Sequence, residues 1–128
     1  MARTDLLRLV FYTAIIIALL HVFAVAFFLY GFIWWFDIPL HFLGGFCAGM
    51  ISLWLLPGKG TVSIFQAFLI VSFGTILFGV LWEVFEYFFN ITYNALSNYK
   101  FDTVKDLLTD VGGGLFAYLC FSLKGYTR

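Results

Sequence analysis

Acidic side chains and one histidine, groups that can hold a cation or move a proton, form three short clusters in this apolar chain. Six of its seven acidic residues take part: Asp37 with His41, Glu83 with Glu86, and the series Asp102, Asp106 and Asp110. An ionisable group at the centre of a membrane helix costs about 2.5–3.5 kcal/mol, so such residues mark functional sites when they converge. The sequence therefore indicates where a site lies more clearly than it indicates a reaction.

Composition places the chain among integral membrane proteins. Of its 128 residues, 63% are hydrophobic and only 11% are charged, and the mean hydropathy is +1.01. This length gives room for about four spans of roughly 20 residues. We therefore predict one all-α domain over residues 1–128, a bundle of four transmembrane helices. The zero net charge, without a basic stripe, gives no reason to expect a nucleic-acid partner.

Four apolar runs predict the spans, at about residues 6–33, 38–56, 62–89 and 103–123. Pro57-Gly58-Lys59-Gly60 ends the second run, and a polar loop over residues 90–101 follows the third. Basic residues are more frequent on cytoplasmic loops. With both termini inside, the inner side holds Arg3, Arg8, Lys59, Lys124 and Arg128, and the outer side holds only Lys100 and Lys105. This asymmetry predicts a multi-pass membrane protein with an N-in/C-in topology.

The predicted topology brings all three acidic clusters to the extracytoplasmic side. Within each cluster, neighbouring residues are three or four positions apart, a spacing that puts them on one stripe of a helix. His41, Glu83, Glu86, Asp106 and Asp110 each lie about one or two turns from a helix end. We therefore expect a shared pocket just below the outer surface.

The excess of acid in this pocket predicts either shared protons or a bound metal ion. Up to six carboxylates face only Lys100 and Lys105, so internal ion pairs cannot balance them. Carboxylates with a single imidazole suit Mg²⁺ or Mn²⁺, and also Zn²⁺. The predicted metal ligands are Glu83, Glu86, Asp106, Asp110 and His41. His41 is also the candidate general acid or base, oriented by Asp37, and Asp102 with Lys105 is assigned to substrate binding.

Structural roles explain some of these residues equally well. Asp37 can cap the second span, and Asp102 with Thr103 can start the fourth. Glu83 and Glu86 lie at a helix C-terminal end, where the helix dipole disfavours them, so a structural role explains them poorly. His21 has no acidic companion nearby and is predicted to be a hydrogen-bonded packing residue.

The order of these motifs resembles that of the VanZ-like membrane proteins and of the related YjdF-type inner-membrane family. The resemblance is carried by Asp37-x-x-x-His41-Phe42, by Glu83 near the end of the third span, and by Asp106-x-x-x-Asp110-x-x-Gly113. VanZ-like proteins are associated with low-level resistance to lipoglycopeptides such as teicoplanin. The chain departs from that pattern at Ile38, Glu86 and Asp110, where VanZ-like proteins often have Lys, Gln and Asn; the extra acid is closer to the YjdF type.

Two functions stay open on this evidence. The first is a metal-dependent hydrolase or transferase acting on a lipid or lipid-linked envelope substrate at its headgroup. The second is a non-enzymatic envelope or lipid-binding protein, or an ion-coupled transporter. Transport would require a homo-oligomer, because charges confined to one face do not outline a path through a bundle of four short spans.

The topology can be tested by cysteine labelling. In a variant lacking Cys47 and Cys120, a cysteine introduced by Ser97→Cys should react with an impermeant maleimide added outside whole cells. A cysteine introduced by Lys59→Cys should react only after the membrane is opened. The opposite pattern would move the acidic clusters to the cytoplasmic face.

Overall fold

The computed structural model describes residues 3–56, 62–89 and 99–122, with side chains for 4–56, 62–89 and 100–121. Regular structure in these residues consists of five helices: α1 (Arg3–Ala26), α2 (Leu29–Phe32), α3 (Asp37–Leu55), α4 (Ile64–Phe89) and α5 (Tyr99–Ser122). The predicted break at Pro57–Gly60, most of the polar loop after α4, including Ser97, and the basic segment from Lys124 lie outside the described residues. The all-α prediction is confirmed over the part of the chain that is described.

Three of the helices are long and apolar enough to cross a membrane: Thr4–Ala26, Asp37–Leu55 and Ile64–Phe89. Helix α5 has 24 residues but carries five charged ones, Lys100, Asp102, Lys105, Asp106 and Asp110, and is not among the three. Asp106 and Asp110 are each only 2% exposed, so they face the interior of the bundle. Four spans with N-in/C-in topology therefore stay a prediction.

The predicted first span is interrupted before its end. Helix α1 stops at Ala26, Phe28 adopts a left-handed conformation with φ of 55°, and the four-residue helix α2 follows. The bend brings the Tyr30 hydroxyl within 2.8 Å of His21 Nδ1. In a straight helix these residues, nine positions apart, would be separated by about 13 Å along the axis. The break therefore folds Tyr30 back toward the bundle.

Helices α3 and α5 run parallel and make the most extensive helix contact among the described pairs. Their backbones touch at two glycines. A β-carbon on Gly45 would collide with the backbone carbonyl of Asp110, and one on Gly113 would collide with the backbone carbonyl of Phe42. Helix α4 packs antiparallel against both, and a β-carbon on Gly114 of α5 would collide with the hydroxyl of Thr75.

Apolar packing is concentrated at the end of the bundle opposite the acidic clusters. One buried cluster contains residues from the start of α1, the end of α3, the start of α4 and the end of α5: Leu6, Cys47, Met50, Leu53, Leu56, Ala67, Val71, Ala117, Tyr118 and Phe121. At this end α4 begins with a capping box. The Gln66 N–H donates to Ser63 Oγ at 3.2 Å, and the Ser63 N–H donates to Gln66 Oε1 at 2.9 Å.

Adjacent glycines of α5 provide a test of the close contact between α3 and α5. Gly113→Ala should lower the free energy of unfolding by about 1–3 kcal/mol, because the new methyl group meets the Phe42 backbone. Gly112 has nothing within 4 Å of its β-carbon position, so Gly112→Ala should be neutral or slightly stabilising. Thermal unfolding of the two variants in detergent measures the difference. Equal stability of both would contradict this packing.

Candidate metal and cation site

The structure brings the three acidic clusters to one end of the bundle. Asp37 and His41 lie in the first turns of α3, Glu83 and Glu86 in the last turns of α4, and Asp102, Asp106 and Asp110 in the first half of α5. None of Asp37, His41, Glu83, Glu86, Asp106 and Asp110 is more than 9% exposed. The antiparallel course of α4 between two parallel helices explains why the end of one helix meets the starts of the others.

The ring of His41 lies between two aspartates of α5. Its Nδ1 is 3.4 Å from Asp110 Oδ2, and its Nε2 is 3.7 Å from Asp106 Oδ2. A β-carbon on Gly79 of α4 would lie 2.6 Å from Asp110 Oδ2, so the glycine leaves space for this carboxylate. The sequence assigned the orientation of His41 to Asp37, one turn away. In the structure both of these ring contacts come from α5 instead.

Lys105 is the counter-ion for the outer part of the cluster. Its Nζ lies 3.0 Å from Asp37 Oδ2, 2.6 Å from Asp102 Oδ1 and 3.4 Å from Asp106 Oδ1. The contacts with Asp37 and Asp102 are hydrogen bonds. The contact with Asp106 is a charge interaction, and Asp106 Oδ1 has no hydrogen bond within the described residues. Asp102 and Lys105, which the sequence assigned to substrate binding, are therefore engaged with each other.

The two glutamates of α4 receive hydrogen bonds from uncharged groups. The Thr103 hydroxyl donates to Glu83 Oε2 at 2.8 Å, and the Trp82 indole N–H donates to Glu86 Oε1 at 3.1 Å. Glu83 Oε1 is buried, and no described residue forms a hydrogen bond with it. Buried carboxylate oxygens are rarely left in this state, because the lost hydration is not replaced.

Two sets of side chains have ligand atoms close enough to hold one ion. The outer set is Asp37, His41 and Asp106, and the inner set is His41, Glu83 and Glu86; within each, the ligand atoms lie within 4.8 Å of one another. Lys105 already supplies a positive charge to two members of the outer set. Within the described residues each set has one buried oxygen without a hydrogen bond, Asp106 Oδ1 in the outer set and Glu83 Oε1 in the inner set. Asp106 Oδ1 already has the Lys105 charge 3.4 Å away, so the inner set is the better candidate for a metal ion.

Three residues beside the site were not among the sequence candidates. His21, Tyr30 and Trp82 line a cavity together with Asp37, His41, Glu86 and Asp110. Trp82 could have been predicted from the sequence, because it lies four positions before Glu86 and therefore on the same face of α4. The placement of His21 and Tyr30 depends on the break at Phe28, for which the apolar sequence gives no signal.

A membrane-protein family model matches residues 2–125, nearly the whole chain. The chain belongs to the predicted membrane protein family DUF2238. No curated protein and no solved structure matches it. Membership of this family agrees with the three apolar helices, whereas the VanZ-like and YjdF-type relationship stays a prediction.

Loss of the Lys105 counter-ion should destabilise the fold. Lys105→Met leaves Asp37, Asp102 and Asp106 without their shared cation, and breaking a buried ion pair on one side costs up to about 3–5 kcal/mol. Because Lys105 is 20% exposed, we expect the free energy of unfolding to fall by a smaller amount, about 1–3 kcal/mol. Adding Asp37→Asn should restore part of this stability, because it removes one of the uncompensated charges. Chemical or thermal unfolding in detergent measures it, with Lys100→Met at an exposed position as the control. Equal stability of the two lysine variants would contradict the counter-ion role.

Proposed function

We propose that the protein binds a divalent metal ion through His41, Glu83 and Glu86, and acts at this site on the headgroup of a lipid or lipid-linked envelope substrate. The observations that carry the proposal are that Glu83 offers one of three ligand atoms within 4.8 Å of one another, and that its buried Oε1 has no hydrogen bond within the described residues. A metal ion at this point would satisfy that oxygen. Mg²⁺ or Mn²⁺ suits the carboxylates best, and Zn²⁺ suits the mixed carboxylate and imidazole set.

The surroundings of His41 favour a ligand role. A metal-binding histidine usually donates its other ring N–H to a carboxylate, which fixes the ring. Asp110 lies beside Nδ1 of His41 and Asp106 lies beside Nε2. One aspartate can therefore accept a hydrogen bond from one ring nitrogen, while the other ring nitrogen binds an ion. Asp106 and Asp110, predicted as ligands, would then serve chiefly to position the ring and balance charge.

The chemistry supplied by a bound divalent ion would be polarisation of a phosphoryl or carbonyl oxygen. The protein residues would hold this ion and, with the aromatic walls beside it, exclude water. With one ring nitrogen on the ion and the other held by an aspartate, His41 would act as a ligand rather than as the general acid or base. A metal-dependent hydrolase or transferase is the reaction class that fits. A VanZ-like or YjdF-type envelope role belongs to the same proposal.

The proposed placement has four spans, with the site at the extracytoplasmic face of a prokaryotic cytoplasmic membrane. Leu6 at the start of α1 and Phe121 at the end of α5 belong to the same buried cluster, as an even number of crossings requires. Trp34 and Trp35, just before α3, are 74% and 50% exposed, and exposed tryptophans are common at the membrane interface. These two observations support the placement together with the basic-residue asymmetry.

A non-enzymatic lipid-binding protein is the second candidate. It is favoured by the salt-bridged state of the outer cluster, where Lys105 already holds Asp37 and Asp102 and a second cation is not needed. Ion-coupled transport has less support, because the buried cluster at the other end of the bundle is apolar.

Metal content and thermal stability distinguish these functions. Protein purified in detergent should retain about one divalent ion per chain by mass spectrometry, and a chelator should lower its melting temperature, because an ion that binds only the folded state stabilises it. Glu83→Gln keeps the shape but removes a ligand charge, and should reduce metal content at least tenfold.

Asp5→Asn is the matched control for Glu83→Gln. Asp5 pairs with Arg8 at the opposite end of the bundle and should not affect metal content. If a chelator leaves the melting temperature unchanged and Glu83→Gln raises it, the carboxylates repel one another or share protons, and the proposal of a metal-dependent reaction is wrong.

A further inference from the structure

A cavity of about 60 Å³ lies beside the metal candidate, lined by residues of all five helices. Because one buried water needs a cavity of roughly 10–15 Å³, this cavity holds a few waters or one small organic group. It is too small for an acyl chain. Glu86 belongs both to its wall and to the inner set of ligands, whereas Glu83 is not part of the wall.

The charged residues of the wall favour a positive ligand. Three carboxylate residues line the cavity, Asp37, Glu86 and Asp110, and no lysine or arginine of the described residues lines it. Among the described lining residues, only His21 and His41 could carry positive charge. An anionic or phosphate-bearing group would therefore meet repulsion in this cavity, and a cation would meet attraction.

The other walls suit an organic cation better than a hydrated metal ion. Tyr30, Phe78 and Trp82 line the cavity, and much of the lining is apolar. Trp82 is fixed by its hydrogen bond to Glu86, and Tyr30 by its contact with His21. Aromatic faces combined with carboxylates are the usual recognition site for ammonium groups, whereas they offer a divalent metal few oxygen ligands.

We propose that this cavity binds the ammonium group of a small amine, as the headgroup of an amino-lipid or as a free amine. The proposal deepens the proposed function, since it names the substrate class of the same site, but its residues Tyr30 and Trp82 are not metal ligands. Asp37, the first residue of α3, is separated by Phe36 from the exposed Trp34 and Trp35. Exposed tryptophans are common at the membrane interface, which places the proposed cavity at the depth of lipid headgroups.

Ethanolamine and ethylene glycol provide a matched pair of probes, because they have the same size and differ by the ammonium charge. Ethanolamine should raise the melting temperature of the detergent-purified protein in a concentration-dependent way, and ethylene glycol at the same concentrations should not. From the usual strength of cation–π contacts, Trp82→Leu should weaken the apparent affinity roughly 5- to 30-fold. Trp34→Leu, at an exposed position, should not change it.

Two further variants distinguish loss of ethanolamine binding from a folding defect and from loss of the metal ion. Glu86→Gln preserves shape and should also weaken ethanolamine binding. Glu83→Gln should reduce metal content but leave ethanolamine binding intact, because Glu83 does not line the cavity. Unsubstituted protein that binds ethanolamine but holds no divalent metal ion would therefore overturn only the metal proposal. Equal effects of the two probes, or unchanged affinity in both Trp82→Leu and Glu86→Gln, would overturn the ammonium site.

Nanodiscs identify the source of the ammonium group. If it is a lipid, protein in phosphatidylethanolamine nanodiscs should be more stable than in phosphatidylglycerol nanodiscs with the same acyl chains, and added ethanolamine should have less effect there. If it is a soluble amine, free ethanolamine should stabilise the protein equally in both. Either result supports the site and assigns its ligand; no effect of ethanolamine in either nanodisc would reject it.

Discussion

The direct contact between the backbones of α3 and α5 is the constraint on which the site depends. It is permitted by Gly45 and Gly113, where any side chain would strike the backbone of the other helix. At this separation the Asp110 backbone lies against Gly45, and its carboxylate reaches the ring of His41. A third glycine, Gly79, makes room for the same carboxylate from the side of α4. Small residues are the usual means of close helix approach in membranes, where apolar surface alone gives little force for association. Here they also fix the distance between charged groups.

The groups that compensate the negative charge of the carboxylates differ between the outer and the inner part of the cluster. Lys105 provides a full positive charge to Asp37 and Asp102 near the ends of α3 and α5. Deeper in the bundle, His41 is shared by Asp106 and Asp110, the Thr103 hydroxyl donates to Glu83, and the Trp82 indole N–H donates to Glu86. Neutral donors stabilise a carboxylate less than charged ones do, and Glu83 Oε1 has no hydrogen bond within the described residues, so Glu83 has the greatest need of a further cation. Both proposed ligands, the metal ion and the ammonium group, are cations placed at this inner part.

The sequence was sufficient to predict an all-α chain and the convergence of the acidic clusters, because both follow from local periodicity and from the alternation of helix direction; the break after Ala26 inside the predicted first span was not predicted. Asp106 and Asp110 were predicted to face a shared pocket from their spacing and depth, and each is 2% exposed. Contacts across the bundle were harder to predict. The pairing of Lys105 with Asp37, which are 68 positions apart, depends on the rotation of α5 against α3. The cavity could not be predicted, because it depends on the bend at Phe28, a residue type with no preference for positive φ.

The unequal distribution of polar groups between the two ends bears on how the protein could work. The described residues at the end opposite the site pack as a continuous apolar cluster that includes Leu6, Met50, Leu53, Val71 and Phe121. An ion leaving the acidic end in that direction would lose its carboxylate and water ligands without replacement, at a cost of many kcal/mol. Exchange through the end at which it entered has no such barrier. One chain is therefore better suited to bind or modify a ligand at one membrane face than to carry an ion across, and a transport path would have to be built between chains.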